Sequence, residues 1–384
     1  MKILFASDSL KGTITSRRAG ELLCRAANAV FGTVEGEILT IADGGEGTVE
    51  AVCSACGGRI VECDARDPLG RRMTAHYGLL DEESAIIEMA AASGLPLLQE
   101  EEKNPLLTSS WGTGDMIVDA LDRGCHKLYL AIGGSATSDG GIGCLSALGM
   151  CFYDQDGGLL AGRGIDLGKI ALIDDCYLDE RLGDCEITVM CDVNNPLCGK
   201  NGAVYTFGPQ KGADEAMCEE LECGMCHYRD LIVEKYGVNP DDIPGSGAAG
   251  GLGTALAVVL HGVLKPGIET VLDLSMFDEK AKWADLVVTG EGCTDWQSAF
   301  GKVMQGVGER CLKAGVPCVG VSGSLGKGWE SVLDHGIASV MTSIDRVMTM
   351  EEVVSCAEEK YYWAGVRMFK AIKAGISVNQ RMRD

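Results

Sequence analysis

Acidic side chains recur just after predicted strands. Asp8, Asp43 and Asp192 each follow a short apolar run typical of a buried strand, and Glu291 and Asp295 follow another such run. The carboxyl ends of parallel strands meet at one edge of a sheet, where α/β proteins bind ligands. Carboxylates there can hold Mg²⁺ or act as an acid or base. A single acid of this kind is more often a helix N-cap, but the repetition of the pattern predicts a site.

A loop of small residues follows the apolar run at positions 127–132, and a helix is predicted over positions 140–148. Such a strand–loop–helix segment leaves free backbone N–H groups at the positive end of the helix dipole, where a phosphate can bind. The glycines let the main chain approach the anion, and the hydroxyls add donors. The loop residues predicted to contact phosphate are Gly133, Gly134, Ser135, Thr137 and Ser138.

A second glycine-rich stretch, residues 245–253, precedes a helix predicted over residues 254–263. Its letters fit the dinucleotide-binding pattern G-x-G-x-x-G, but a proline-containing linker precedes it where that pattern requires a strand. Two interpretations remain open: a helix start that approaches a ligand, and close packing of the helix. The residues predicted to contact a nucleotide here are Gly245, Ser246, Gly247, Gly250 and Gly251.

Together these residue types supply what phosphoryl transfer requires. The chemistry needs loops for phosphates, carboxylates for Mg²⁺, a cation for developing charge such as Lys11, and an acidic base for the acceptor hydroxyl. The histidines occur singly, which disfavours histidine-led hydrolysis. The P-loop pattern G-x-x-x-x-G-K-[ST] does not occur.

The elements that must position these residues alternate between strands and helices at both ends of the chain. Strands predicted at residues 2–6 and 34–41 are each followed by a helix, and further strands are predicted from residue 285 onward. Between them, short strand-like runs with tight turns predict an antiparallel patch. We therefore predict an α/β protein: a doubly wound parallel-sheet (Rossmann or flavodoxin-like) domain from residues 1–67 and 285–384, and an inserted α/β domain from residues 68–284 that carries the phosphate loops.

The composition limits the partners. Among 384 residues, 56 acidic and 33 basic side chains give a formal net charge of −23, which argues against nucleic-acid and anionic-membrane partners. No apolar run long enough for a membrane span or signal peptide occurs, so a cytoplasmic protein is expected. The sequence leaves the oligomeric state open, a homo-oligomer included.

Two cysteine pairs have the C-x-x-C spacing of some metal sites. Cys53 with Cys56, and Cys223 with Cys226, both fall in predicted helices without a second ligand set at metal spacing. The 18 cysteines are therefore predicted to be reduced thiols, without zinc or haem.

Seven segments of the chain resemble the bacterial glycerate kinase family, and they extend over nearly its whole length. In order they are DSLKG (8–12), ADGGEGT (42–48), GGSATSDGG (133–141), CDVNNP (191–196), FGPQKG (207–212), GSGAAGGLG (245–253) and TGEGCTDWQS (289–298) with GK (301–302). The resemblance implies phosphorylation of D-glycerate with ATP and Mg²⁺, with 2-phosphoglycerate as the expected product. It also implies a two-domain α/β fold with the active site in the cleft.

The resemblance further implies roles for individual residues. Lys11 would neutralise the glycerate carboxylate or the transferring phosphoryl group, and Asp192 is the first choice for the base or metal ligand. Asp43, Glu291 and Asp295 compete with Asp192 for these roles, with Glu291 as the second metal ligand. The predicted substrate-binding residues are Ser7, Asp8, Ser9, Lys11, Gly44, Gly45 and Glu46. Two alternatives remain: a kinase for another small hydroxy acid, and a non-catalytic sensor of a metabolite.

Overall fold

A computed structural model describes residues 1–45 and 47–383. The chain forms two compact units. The first unit contains residues 1–43, 54–56 and 268–384, and the second contains residues 44–53 and 57–267. One unit is therefore built from both ends of the chain.

Strands and short helices alternate through most of the described chain. The strands are β1 (Lys2–Ser7), β2 (Glu35–Ile38), β3 (Arg59–Arg66), β4 (Arg72–Leu79), β5 (Ser84–Glu88), β6 (Lys127–Ala131), β7 (Cys151–Tyr153), β8 (Leu172–Asp174), β9 (Glu186–Met190), β10 (Val263–Lys265), β11 (Leu286–Gly290), β12 (Cys293–Thr294), β13 (Cys318–Ser322), β14 (Ser324–Leu325) and β15 (Ile337–Thr342). The α-helices are α1 (Ser16–Phe31), α2 (Thr48–Cys56), α3 (Ala90–Ser93), α4 (Trp111–Asp122), α5 (Ile142–Ala147), α6 (Ala203–Phe207), α7 (Glu215–Tyr236), α8 (Leu252–Thr254), α9 (Gly267–Leu274), α10 (Phe277–Trp283), α11 (Val303–Ala314), α12 (Met350–Ser355) and α13 (Ala357–Arg383).

The first unit is organised on a five-stranded sheet in the order β15-β13-β11-β1-β2. All its neighbouring strands are parallel. Renumbered within this sheet, the order is 2-1-3-4-5, which is the flavodoxin-like arrangement. The central strands β11 and β13 are buried along their whole length, as expected when helices cover both faces. The predicted doubly wound parallel sheet is confirmed.

Helices pack on both faces of this sheet. On one face, α1 and α13 contribute Leu23 and Phe369 to a core shared with Phe5 and Val288. On the other face, Met304 of α11 lies against Gly320, where an added Cβ would come within 2.8 Å of its methyl carbon. Glycine at this position lets α11 approach the strand closely.

The second unit has a six-stranded mixed sheet in the order β10-β9-β6-β5-β4-β3. Strands β3, β4 and β5 are antiparallel, which confirms the predicted antiparallel patch, and β5, β6, β9 and β10 are parallel. The carboxyl ends of the parallel strands therefore share one edge. A large core containing Tyr77, Phe152 and Tyr228 stabilises this unit.

The structure corrects three sequence predictions. The unit boundaries fall at residues 43 and 268, whereas residues 67 and 285 were predicted, because β3 forms a long antiparallel ladder with β4 and belongs to the second sheet. The helix predicted over residues 254–263 ends earlier, and Val263 begins strand β10. The strand predicted over residues 34–41 is shorter, Glu35–Ile38.

Within the described residues, the helices lack the length and apolar character that crossing a membrane would require.

Candidate active site

Two acids of the first unit flank the point where its strand order reverses. Strands β1 and β11 are neighbours, but the chain passes from β1 to β2 on one side and from β11 to β13 on the other. In doubly wound sheets, ligands bind in the crevice at this switch point, beyond the carboxyl ends of the strands. Asp8 directly follows β1 and Glu291 directly follows β11. The backbone N–H of Asp8 donates to the carbonyl oxygen of Gly290 at 2.8 Å, which fixes both acids at this edge.

The carboxyl of Asp8 is in an environment that opposes its ionisation. Its pKa is raised from 3.8 to about 7, first by burial and then by the negative charge of Asp43, with a smaller contribution from Glu291. The backbone N–H of Ser9, which donates to Asp8 Oδ1 at 2.7 Å, and the charge of Lys11 act in the opposite direction. Asp8 can therefore exchange a proton near neutral pH.

Glu291 is buried and held by hydroxyl groups. Thr294 Oγ1 donates to Glu291 Oε1 at 2.9 Å, and Thr294 Oγ1 also lies 2.6 Å from Ser322 Oγ at the end of β13. Burial raises the pKa of the Glu291 carboxyl, while hydrogen bonds from Ser298 and Thr294 and the charge of Lys302 lower it. Glu291 is therefore a positioned carboxyl next to a lysine.

These residues line a cavity of about 440 Å³ in the first unit. One part of its wall is charged, with Asp8, Asp43, Glu291 and the lysines Lys11 and Lys302. Another group of lining residues is apolar. We call this group the apolar wall; its residues are Ile344, Met348, Met350, Val353 and Val354.

The other predicted site residues of the first unit have different surroundings. Ser9 lines the cavity. Ser7 is buried at the end of β1, and its carbonyl oxygen accepts from Ser16 Oγ at 2.6 Å. Asp295 caps a short 3₁₀ helix, because its Oδ1 accepts from the backbone N–H of Gln297 at 2.8 Å. The N-cap interpretation thus describes the observed contact of Asp295.

In the second unit, predicted site residues from distant parts of the chain come together at the carboxyl edge of its sheet. A Cβ added to Gly44 would lie 3.6 Å from Asp192 Oδ2, and one added to Gly133 would lie 3.6 Å from the Cα of Gly45. Asp192 follows β9 and is exposed, and its Oδ1 accepts from the backbone N–H of Gly267 at 2.7 Å. Glu46, a predicted substrate-binding residue, lies outside the described residues.

The two glycine-rich loops of the second unit pack directly against each other. The N–H of Gly140 donates to the carbonyl oxygen of Gly250 at 2.9 Å, and a Cβ added to Gly250 would lie 2.0 Å from the carbonyl oxygen of Thr137. Gly133 and Gly134 are exposed. The remaining loop residues predicted to contact the nucleotide are buried: Ser135, Thr137, Ser138, Gly245, Ser246, Gly247, Gly250 and Gly251. For Gly250, close packing is the observed reason for glycine.

Comparison with known proteins identifies the family. The profile described as the Glycerate kinase family matches residues 3–373. The chain belongs to the glycerate kinase family. It is 42% identical over 360 residues to the glycerate kinase of Bacillus cereus, covering 94% of each chain. It is also 42% identical over 353 residues to the glycerate 2-kinase of Escherichia coli K12, covering 92% of this chain and 93% of that one.

A solved structure shares the fold. The crystal structure assigned as glycerate kinase 2 from Salmonella typhimurium LT2 superposes with a TM-score of 0.87 at 41% sequence identity. The similarity covers 98% of this chain and 99% of that one. The resemblance noted in the sequence is thereby confirmed over nearly the whole length of this family member.

Several charged residues of this glycerate kinase family member were missed by sequence reasoning. Lys302 and Lys360 line the cavity of the first unit. In the second unit, Glu88 accepts from the N–H of Val49 at 2.7 Å at the start of α2. Lys302 lies in a segment that carried the family resemblance. Glu88 is the last residue of strand β5, which was predicted to extend to residue 90, so its position at a strand end was not recognised.

Two buried ionisable residues, Lys211 and Asp139, support the first glycine-rich loop of the second unit. Lys211 is buried, and its amine donates to the carbonyl oxygen of Thr137. Burial lowers the pKa of Lys211 to about 7, while the charge of Asp139 opposes this shift. Asp139 is itself buried and accepts from the N–H and hydroxyl of Ser110 at 2.7 and 2.8 Å. Both residues lie in segments that carried the family resemblance, but sequence gave no sign of their burial.

Proposed function

We propose that this protein is a glycerate kinase that transfers the γ-phosphoryl group of ATP to a hydroxyl of D-glycerate. The observation that carries the proposal is the convergence of Asp8, Asp43 and Glu291 with Lys11 and Lys302 at the switch point of a flavodoxin-like sheet. Phosphoryl transfer depends on positioning and charge stabilisation, which these side chains can supply. The name of the Escherichia coli relative, glycerate 2-kinase, favours 2-phosphoglycerate as the product.

In this proposal, Asp8 is the general base of the first unit. A carboxyl whose pKa lies near 7 can accept the proton of the acceptor hydroxyl as the hydroxyl oxygen attacks the γ-phosphorus. The bond from that phosphorus to the leaving oxygen of ADP then breaks. Lys11 and Lys302 would stabilise the negative charge on the transferring group.

The carboxylates of the cavity suit Mg²⁺, which prefers oxygen ligands. Asp43 and Glu291 both contribute to the raised pKa of Asp8, so the negative charge that a divalent cation would neutralise is present. We assign Asp43 and Glu291 as the residues that would hold Mg²⁺ in the first unit. The bound ion would supply charge neutralisation on the phosphates. Asp192 of the second unit remains the competing candidate for the metal or base.

The apolar wall suits the nucleobase of ATP. A three-carbon acid is polar throughout and fills only a fraction of a cavity of about 440 Å³. A purine is flat and largely apolar, and sites for such ligands are lined mainly by hydrophobic side chains with a few polar groups. With the adenine ring of ATP on the apolar wall, the phosphates of ATP would extend toward Lys11 and Lys302.

The exposed glycines of the second unit are proposed as a further anion site. Gly133 and Gly134 follow β6, and Gly44 and Gly45 approach Gly133 and Asp192. Backbone N–H groups of such loops can bind phosphate or carboxylate.

A cytoplasmic location for the enzyme also remains our expectation.

The reaction can be tested directly. Purified protein is incubated with MgATP and D-glycerate, ADP release is measured, and the phosphoglycerate is identified by NMR. A panel of other small hydroxy acids distinguishes a kinase with different specificity. Ligand binding without ADP release would contradict the proposal and favour the non-catalytic sensor.

A further inference from the structure

Three potential metal ligands meet in the second unit. Cys198 lies on the segment between β9 and α6, and Glu222 and Cys226 lie on α7. Glu222 and Cys226 are four residues apart, so they share one face of the helix. One ligand atom of each residue lies within 4.8 Å of those of the other two. We refer to Cys198, Glu222 and Cys226 as the thiol–carboxylate cluster.

The cluster is held in place by backbone contacts. The N–H of Gly199 donates to Glu222 Oε1 at 2.5 Å, and the thiol of Cys226 lies 3.7 Å from the same oxygen. The N–H of Cys198 donates to Asp241 Oδ1 at 2.8 Å. The segment after β9 is therefore joined to α7 at the cluster.

A second observation indicates that the cluster lacks a binding partner. Glu222 Oε2 is a buried oxygen that finds no hydrogen-bond donor within residues 1–45 and 47–383. A buried carboxylate oxygen without a partner costs free energy, and such atoms call for an explanation. A cation bound by the Glu222 carboxylate and the two sulfur atoms would supply one.

We infer that the thiol–carboxylate cluster is a binding site for a thiophilic divalent cation, with Zn²⁺ as the best match. Zn²⁺ is bound by cysteine sulfur and carboxylate oxygen, whereas Mg²⁺ and Ca²⁺ prefer oxygen ligands alone. On binding, both thiols lose their protons to solvent, and the two thiolates and the carboxylate coordinate the ion. This site is independent of the proposed kinase reaction.

Metal binding at this site must compete with protons, because burial opposes the ionisation of its three ligands. Burial raises the pKa of Cys198, Cys226 and Glu222, with further contributions from neighbouring acidic groups. A cation would reverse these shifts. Arg229 is the nearby positive charge, but its guanidinium already pairs with Asp241 at 3.2 Å. Because Asp241 is thus engaged on both oxygens, water would complete the coordination.

A disulfide between Cys198 and Cys226 is the main alternative. It would explain the proximity of the two sulfur atoms, but it would leave Glu222 Oε2 buried without a partner. The carboxylate therefore favours the metal. This inference departs from the sequence-based expectation that no cysteine binds zinc. That expectation considered Cys226 only with Cys223, which is exposed, whereas the second thiol of the cluster, Cys198, comes from a different segment.

Cobalt binding tests the site in the full chain. After chelator treatment and reduction, the protein is titrated with Co²⁺, which gives a thiolate-to-cobalt charge-transfer absorption when sulfur coordinates it. We expect one Co²⁺ per chain, displaced by Zn²⁺. Cys198→Ser, Cys226→Ser and Glu222→Gln should each weaken binding by at least about tenfold. Cys223→Ser is the matched control on the same helix and should bind as the parent does.

Each other outcome overturns the inference. If the parent protein shows no thiolate-to-cobalt band at stoichiometric Co²⁺, the inference is wrong. This measurement needs no variant, so a folding defect in a variant cannot obscure it. Equal loss in Cys223→Ser would show that the thiols act non-specifically. A Cys198–Cys226 crosslink found by mass spectrometry in unreduced protein, with no metal bound after reduction, would establish a redox pair. Phosphoglycerate formation is measured separately and is not expected to require this metal.

Discussion

The proposed role of Asp8 as the general base can be tested by substitution. If it is the base, Asp8→Asn should lower kcat by roughly a hundredfold or more, because asparagine keeps the size of the side chain but cannot accept the proton. Asp285→Asn is the matched control. Asp285 accepts from the N–H of Lys2 at 2.8 Å at the amino end of the neighbouring strand β11, away from the cavity. Steady-state turnover of both variants tests the assignment, and normal turnover of Asp8→Asn would transfer the role to Asp192 or Asp43.

The same substitution should stabilise the fold above neutral pH. The pKa of Asp8 is about 7 when folded against 3.8 ordinarily, so between these values the folded state retains a proton that the unfolded state has released. Raising the pH through this range therefore lowers the free energy of unfolding. Asp8→Asn removes the free-energy cost of ionising a buried carboxyl. The variant should be more stable than the parent by about 1–4 kcal/mol at pH 8, and the difference should shrink toward pH 4. Urea unfolding in EDTA measures it, and a difference independent of pH would contradict it.

Asp192 offers a second test at the scale of a residue. If it is the base or holds Mg²⁺, Asp192→Asn should lower kcat by roughly a hundredfold or more. Stability should change by less than about 1 kcal/mol because the residue is exposed. Asp81→Asn is the control, since Asp81 is also exposed and accepts a backbone N–H, from Glu83 at 2.8 Å, together with the hydroxyl of Ser84 at 3.0 Å. Loss of stability with normal turnover would mean that Asp192 only braces its turn.

At the scale of elements, the packing of the two glycine-rich loops can be measured. Gly250 and Gly237 have nearly the same backbone angle, with φ of +67° and +69°, but only Gly250 has backbone atoms where a Cβ would lie. Both alanine substitutions incur the cost of positive φ, about 1 kcal/mol. Gly250→Ala should cost at least roughly 2 kcal/mol more because its Cβ would meet the Thr137 carbonyl. Equal costs in denaturant unfolding would contradict this close packing.

The apolar wall includes the first turns of α12, and its proposed role can be tested there. Val353 lines the cavity, whereas Val347, six residues earlier, is 98% exposed and does not line it. Val353→Asp places a charge against the adenine ring of ATP. It should raise the KM for ATP by roughly tenfold or more, with little change in the KM for glycerate. Val347→Asp should leave both constants unchanged. A larger effect on glycerate than on ATP would show that the wall contacts the acid.

Most elements could be predicted because their signals are local. The sequence predicts the apolar runs of β1, β6 and β11. It also predicts the Thr15 cap of α1, whose side chain accepts from the N–H of Arg18 at 3.2 Å. Strand β10 was missed because its apolar residues continue the pattern of the preceding helix, and only pairing with β9 makes them a strand. The buried state of Lys211 also depends on distant residues, so sequence gave no signal for it.

At the scale of the whole molecule, the sequence identified acids that follow strands, but it did not show which of them meet. Five acids, Asp8, Asp43, Asp192, Glu291 and Asp295, were expected together because each follows a predicted strand. The cavity of the first unit gathers three of them, Asp8, Asp43 and Glu291. Asp192 belongs to the second unit, where its neighbours are Gly44 and Gly267. The unit boundaries depend on the pairing of β3 with β4, which a change of pattern along the chain does not reveal.

The discontinuous first unit leads to a prediction about fragments. β1 is an interior strand of the sheet, between β11 and β2, and α1 packs on α13. A fragment of residues 268–384 therefore lacks an interior strand and part of its core, and it should not fold alone. Residues 44–267 contain a complete mixed sheet and core and should unfold cooperatively by themselves.

Supplying residues 1–43 in trans is the decisive measurement for this prediction. Mixing that segment with residues 268–384 should restore dispersed NMR resonances, because pairing of β1 with β11 completes the parallel sheet. The matched control is a segment with Phe5→Asp, since Phe5 is buried in the core of the first unit and a charge there prevents packing. Folding of residues 268–384 without the added segment, or equal restoration by the Phe5→Asp segment, would contradict the dependence of this unit on both ends of the chain.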